Sequence, residues 1–339
     1  MRYLVATSLL LMTAPSLAEP SLQPGRAEAV IDMHFHAYGA DAMGPPGSKI
    51  CAPYDPWPVR DPAKPIEDYI VRFTVDPDCP RGYAGPLTNE ALLAANVAKI
   101  RQHNIIAVAS GPAPDVQALH REAPDQVIPA LSFGNGELPS IAELRRLHAA
   151  GQLKVLGELT FQYAGIGPDD PRIEPYYELA EELDLPVGIH IGAAPPGISY
   201  FGSPAYRMSH SNALALEDVL LRHPKLRIYV AHAGWPMTEA MMALMYAHPQ
   251  VYADLSIINY AIPRAEFHGY LKRLVDAGFG ERVMFGSDQM IWPDAVDAAI
   301  EGIESATFLT AEQKRNIFYN NAARFLRLSS DEAAEHPQR

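Results

Sequence analysis

The sequence predicts an α/β chain folded as a (β/α)8 TIM barrel, with a long disulfide-braced insertion after strand one. Three observations predict it. Eight short apolar runs recur along the chain, amphipathic stretches separate most of them, and no GxGxxG follows the first run. Strand–helix alternation argues for a parallel sheet. Eight units argue for closure of that sheet. Without the glycine fingerprint, an open dinucleotide-binding sheet has no support.

The runs are AVIDMHF (29–35), IIAVAS (105–110), VIPALSF (127–133), KVLGELTF (154–161), PVGIHIG (186–192), RIYVAHA (227–233), VYADLS (251–256) and VMFGSD (283–288). Between them, residues 89–103 place Leu92, Leu93, Val97 and Ile100 near helical spacing. Residues 140–150 open on Ser140 with Glu143 three positions on, a capping box. Residues 174–184, 213–223 and 266–278 continue the alternation, and Gly151 and Gly278 stand where helices should stop.

The first strand-to-helix connection, about 37–88, is far longer than such loops usually are, and long loops commonly carry function. It reads as an insertion over the barrel mouth, within one barrel unit spanning 19–339. It holds the only two cysteines, Cys51 and Cys79. In an oxidising compartment such a pair forms a disulfide, which contributes about 3 kcal/mol on the chain-entropy model. Two free thiols are the alternative. Zinc ligation lacks a second thiol pair or a local histidine to complete a set.

Residues 1–18 read as a cleaved secretory signal: Arg2, an apolar stretch, then Ser16-Leu17-Ala18. The stretch is shorter than the roughly 20 residues a spanning helix needs. An uncleaved anchor is the alternative. The mature chain is then exported, periplasmic or secreted, without a membrane anchor. At 339 residues and 48% hydrophobic, it has ample material for a large core. A formal net charge of −13 argues against a nucleic-acid footprint. The partner expected is a small-molecule substrate; a homo-oligomer is left open.

Of twelve histidines, four fall at or near the ends of strands one, five and six: His34, His36, His190 and His232. Barrel enzymes gather their catalytic groups at that rim. Residues two apart on a strand share a face, so His34 and His36 project together. Neutral imidazoles are good ligands for zinc and similar metals. His190 would join from across the barrel, and Asp288 would complete the shell. The alternative is a set of hydrogen-bonded polar residues filling the barrel top. Glu158, ending strand four, could ligate one metal, bridge two, bind substrate or form a buried ion pair. His232 divides between second-metal ligand and acid–base group, with the acid–base role preferred.

These residues resemble the amidohydrolase superfamily, and its amidohydrolase-related branch with lactone hydrolases and aminocarboxymuconate-semialdehyde-type decarboxylases. The likeness rests on IDMHFH, the GE of strand four, HIG, AHAGWP, FGSDQ and NAARFL (321–326), over about residues 30–328. It implies a divalent metal, usually zinc, held by His34, His36, His190 and Asp288 and assisted by His232. The strand-four lysine that bridges two metals in the best-known branches has no match. Lys154 is at the wrong end of that strand and Glu158 occupies the mouth. One Zn2+ is therefore favoured, with Mn2+ or a Glu-bridged pair, as in TatD-type nucleases, left open.

The function expected is metal-dependent hydrolysis of a small ester, lactone or amide by a metal-activated water. Asp288 would take the proton from that water, and His232 would stabilise the oxyanion or protonate the leaving group. Decarboxylation is the alternative, with Arg207 holding a substrate carboxylate. Metal or ligand binding without turnover is a third reading. Trp235, Tyr260, Trp292 and Arg207 are the substrate-contact candidates, and the aromatic content of the loops suggests a cyclic or aromatic substrate.

Overall fold

Short aliphatic and β-branched runs, most buried on both faces, build the frame of the computed structural model, which describes residues 28–136 and 138–328. Residues 1–18, expected from the sequence to be a secretory signal, lie outside the described residues. The barrel strands are β1 (Val30–His36), β2 (Ile105–Ser110), β3 (Val127–Phe133), β4 (Val155–Leu159), β5 (Val187–His190), β6 (Ile228–Ala231), β7 (Val251–Asp254) and β8 (Val283–Met284). Each pairs in parallel with the next.

Closure is achieved differently. Strand β8 has only two residues, and no regular ladder joins it to β1 among the described residues. Two backbone bonds close the cylinder instead: Met33 N–H donates to Phe285 O at 3.0 Å, and Asp288 N–H donates to His34 O at 2.7 Å.

Strands β2 and β3 coincide with their apolar runs, whereas β6 and β8 stop short of theirs. For β6 the backbone supplies the reason: His232 (φ 57°), its next residue, lies in the left-handed region, where a strand cannot continue; Asp288 (φ 50°) lies there too, four residues past the end of β8. Non-glycine residues held there cost of order 1–3 kcal/mol each, and such positions cluster at functional sites.

Ile31, Met33, Ile106, Val108, Ala130, Val155, Tyr229 and Met284 form one buried cluster with Tyr319, Ala322 and Phe325. Residues from so many strands meet only inside the barrel, and the C-terminal helix Asn321–Leu326 completes this inner core. A larger apolar shell packs strands against helices. The expected helices appear, including Asn89–Gln102, capped by Thr88 Oγ1, and Ile141–Ala149, capped by Ser140. Only half of the capping box forms, because the Glu143 carboxylate turns to Arg146. Helices Ala113–Glu122, Thr238–Ala247 and Ala295–Glu304 fill connections left unassigned from the sequence. Gly151 (φ +71°) and Gly278 (φ +90°) do follow helix ends.

The insertion contains an antiparallel pair, Lys49–Cys51 with Gly82–Ala84, a short helix Ile66–Ile70, and the Cys51–Cys79 disulfide. It is moored to three loops of the C-terminal rim. Tyr69 Oη donates to Pro196 O at 2.9 Å, Tyr54 N–H to Ala261 O at 2.9 Å, and Trp292 Nε1–H to Ser48 O at 2.7 Å. Those loops follow β5, β7 and β8, so the insertion roofs the mouth.

Candidate metal and active site

The rim gathers His34 and His36 from β1, Glu158 from β4, His190 from β5, His232 beyond β6 and Asp288 beyond β8. None is more than 8% exposed. His34 Nε2 and His36 Nε2 are 3.1 Å apart, and His36 Nε2 is 3.0 Å from Asp288 Oδ1. These three residues form one candidate ligand group. Glu158, His190 and His232 form a second: Glu158 Oε1 is 3.4 Å from His232 Nε2 and 3.7 Å from His190 Nε2. The other oxygen, Glu158 Oε2, faces the first group, 3.4 Å from His34 Nε2.

This division differs from the single set of His34, His36, His190 and Asp288 expected from the sequence. The carboxylate of Glu158 stands between, and His190 falls on the far side of it with His232.

Local irregularity aims these side chains. Ile31 and Met33 already face the inner core, so an unbroken strand would turn His34 away. The β1–β2 register slips between Asp32 and Phe35, and the β4–β5 register slips between Leu156 and Leu159. Such slips re-aim side chains beside functional sites. Close approach on the opposite wall requires Gly286, where a Cβ would lie 2.9 Å from His34 Cβ.

The electrostatics are dominated by buried carboxylates. Burial disfavours a charge on His34, yet Glu158, Asp288 and Asp254 outweigh it and hold its pKa well above the ordinary value. Burial likewise opposes a raised pKa at His232, which Glu158 and Asp288 nevertheless produce. At His190 burial wins over Glu158, and the pKa falls to about 4. Glu158 itself is buried, but His34 and His190 keep it well below the usual carboxylate range. Burial pushes Asp32 up to about 6.

A divalent cation fits this environment. Glu158 Oε1 is fully buried and accepts no well-formed hydrogen bond. Imidazole nitrogens and carboxylate oxygens are the donor set of zinc, and of related ions such as manganese. His34, His36 and Asp288 could hold one ion, and Glu158, His190 and His232 another.

Several site residues were not picked out from the sequence. Asp254 Oδ2 lies 3.2 Å from His34 Nδ1, and Tyr163 Oη lies 3.2 Å from His190 Nε2. Gln162 contacts His190 Nδ1. Gln289, which the FGSDQ motif did include, clamps the backbone of His36, accepting from its N–H at 3.0 Å and donating to its carbonyl at 2.6 Å. VYADLS did carry a signal, because Asp254 and Ser256 repeat the two-residue spacing that singled out His34 and His36.

The substrate-contact candidates are placed less directly. Arg207 is exposed, and its guanidinium donates to the carbonyls of Pro204 at 2.8 Å and Tyr206 at 2.7 Å, within its own loop. Trp235, half-buried, donates from Nε1 to Glu266 at 3.1 Å. Tyr260 and Trp292 are buried, and their polar tips are committed to carbonyls, Tyr260 Oη to that of Asp288 at 2.9 Å and Trp292 to Ser48. Both therefore brace the frame of the site.

Comparison with known proteins bears on family and fold. The amidohydrolase family model Amidohydro_2 matches residues 31–328. No curated protein matches the chain. Among solved structures, an uncharacterized TIM-barrel protein from Bordetella bronchiseptica superposes with a TM-score of 0.57 at 16% identity, covering 90% of this chain and 99% of that one. A probable 2-pyrone-4,6-dicarboxylic acid hydrolase from Acinetobacter baumannii gives 0.56 at 13% identity, covering 88% and 99%. The 5-carboxyvanillate decarboxylase of Sphingomonas paucimobilis gives 0.52 at 17% identity, covering 89% and 99%. At these identities the structural likeness shows the fold alone.

Proposed function

Because the chain belongs to the amidohydrolase family, we propose that it is an exported, metal-dependent hydrolase of a small cyclic or aromatic ester, lactone or amide. The observation that carries this reading is the buried Glu158 Oε1, without a well-formed hydrogen bond and flanked by two imidazoles, a site shaped for positive charge. Two ions fit the two ligand groups better than the single Zn2+ expected from the sequence. Such an ion, when bound, supplies Lewis acidity and can bring the pKa of a coordinated water to about 7.

The chain's own residues do the rest. Asp288 accepts the proton of the attacking water, and its backbone anchors fix the carboxylate beside His36. Tyr163 Oη, beside His190, is a donor positioned for an oxyanion. His232 contacts Glu158 and orients the second group. The insertion roofs the mouth and limits water. Export is supported by the disulfide and by the reading of residues 1–18; among the described residues no helix is long and apolar enough to cross a membrane.

Hydrolysis is favoured over decarboxylation by the pairing of the buried carboxylates. Among the described residues, Glu158, Asp288 and Asp254 make ion pairs with histidines only, and Arg207 turns Nη1 to its own loop. Among the described residues, the groups paired with these carboxylates are imidazoles, with no guanidinium or ammonium among them. The test is elemental analysis of the purified protein followed by a lactone, ester and amide panel with Zn2+ or Mn2+. Metal-dependent turnover supports the proposal. Release of carbon dioxide from a carboxylated panel without hydrolysis would replace it with decarboxylation. Bound metal without turnover of either panel would leave a binding protein.

A further inference from the structure

We propose that Asp254 and Ser256 form one positioning hub that fixes both His34 and His232 with hydrogen on Nδ1, so that both present Nε2 to the cavity. His34 belongs to the group with His36 and Asp288 and His232 to the group with Glu158 and His190, and the two also form a third candidate group with Asp254, so a single network would set the ligand geometry of both. The inference rests on the metal reading above for its affinity test, but not for its spectroscopic one.

Counting hydrogens leads to it. A hydroxyl has one hydrogen to give and two lone pairs to receive with. Ser256 Oγ touches Asp254 Oδ1, a carboxylate oxygen that only accepts, so the hydroxyl hydrogen goes there. The lone pairs of Ser256 Oγ then face His34 Nδ1 at 2.9 Å and His232 Nδ1 at 3.0 Å. Both contacts are hydrogen bonds only if each Nδ1 carries a hydrogen. The remaining neighbours agree. His34 Nδ1 also faces Asp254 Oδ2 at 3.2 Å, and His232 Nδ1 faces the Ser256 carbonyl at 3.1 Å. Every one of these partners is an acceptor.

The hub is rigid. Asp254 and Ser256 are fully buried, and Asp254 Oδ1 also accepts the backbone N–H of His232 at 3.1 Å and of Ser256 at 2.9 Å. A Cβ added at Gly286 would lie 3.0 Å from Ser256 Cβ, so the wall behind the serine has no slack. Partners of this kind set the tautomer and orientation of metal-binding histidines, and their loss typically weakens metal affinity 10–100-fold.

The experiment has two arms. The 15N imidazole spectrum of the Zn2+-loaded protein should show Nδ1–H at both His34 and His232; hydrogen on Nε2 of either would overturn the inference. If the protein takes up no Zn2+, the same spectrum is read without metal, at a pH where the imidazoles are neutral, with the same two outcomes. In the second arm, Asp254→Asn keeps an oxygen for the two backbone bonds but places an amide where Oδ2 accepted. Its Zn2+ dissociation constant should rise roughly 10–100-fold, and Ser256→Ala should weaken binding in the same direction. Unchanged affinity in both variants, at unchanged thermal stability, would overturn the hub.

Discussion

Glu158 Oε1 lies 3.4 Å from His232 Nε2, two buried atoms of which the oxygen has no well-formed hydrogen bond. Its sister oxygen faces His34 at 3.4 Å. One carboxylate thus addresses both ligand groups, and its charge is the simplest handle on how many ions they hold. Glu158→Gln keeps the shape and removes the charge. The expected outcome is a fall in bound Zn2+ from two ions per chain to one or none, read by elemental analysis at saturating metal. Equal metal content in the wild type and the variant would deny Glu158 a bridging place.

Asp288→Asn should separate chemistry from assembly. The closing bond to His34 uses the Asp288 backbone N–H, and the bond from Tyr260 uses its carbonyl, so neither depends on the carboxylate. Asparagine also tolerates the left-handed φ of 50° at this position. Turnover should drop by about 10²–10⁴, the usual worth of a general base, with metal content largely kept. Near-wild-type turnover would assign the proton transfer elsewhere.

Metal uptake should be proton-linked. The carboxylates hold the pKa of His34 well above the ordinary histidine value, so at neutral pH an entering ion displaces its proton. Affinity should therefore rise with pH through the neutral range and fall on acidification. Calorimetric titration of Zn2+ in two buffers of different ionisation enthalpy should report net proton release. Release of no protons at pH 7 would contradict the assignment of His34 as a ligand.

Asp32 gives a stability signature of the opposite sign to most carboxylates. Burial raises its folded-state pKa from 3.8 to about 6. Its stabilising contribution is then complete below 3.8 and lost as pH rises through about 6. The displacement corresponds to about 3 kcal/mol. Asn at this position can still accept from His34 N–H and Ser287 N–H, as Asp32 Oδ1 does at 3.0 and 2.9 Å. Asp32→Asn should gain on the wild type in urea unfolding as pH rises from 4 to 7, measured after chelation. A pH-independent difference would show that Asp32 titrates normally.

The frame was legible because parallel strands buried on both faces announce themselves as apolar runs, and the His34–His36 spacing carried the first ligand group. What the sequence concealed was three-dimensional. The register slips in β1 and β4 leave no local signature, so the reach of Glu158 between two groups could not be read from its position in a strand. The apolar pattern of strand six ran on past the left-handed His232, and that of strand eight ended on the left-handed Asp288, well beyond the two paired residues. Asp254 and Ser256 went unremarked although they repeat the His34–His36 spacing, because their partners, the Nδ1 atoms of His34 and His232, come from other strands. Sequence likewise cannot show that Arg207 turns Nη1 to two carbonyls of its own loop.

The two-residue β8 and its bonds to β1 leave the cylinder with one thin join, and it runs directly under the chemistry. His34 and His36 stand on one side of that join and Asp288 on the other. An ion shared by them would stitch the first strand to the last. Removing it would cost the protein a mechanical fastening as well as its reagent, and amides along the β1–β8 edge should then be the first in the barrel to open to solvent.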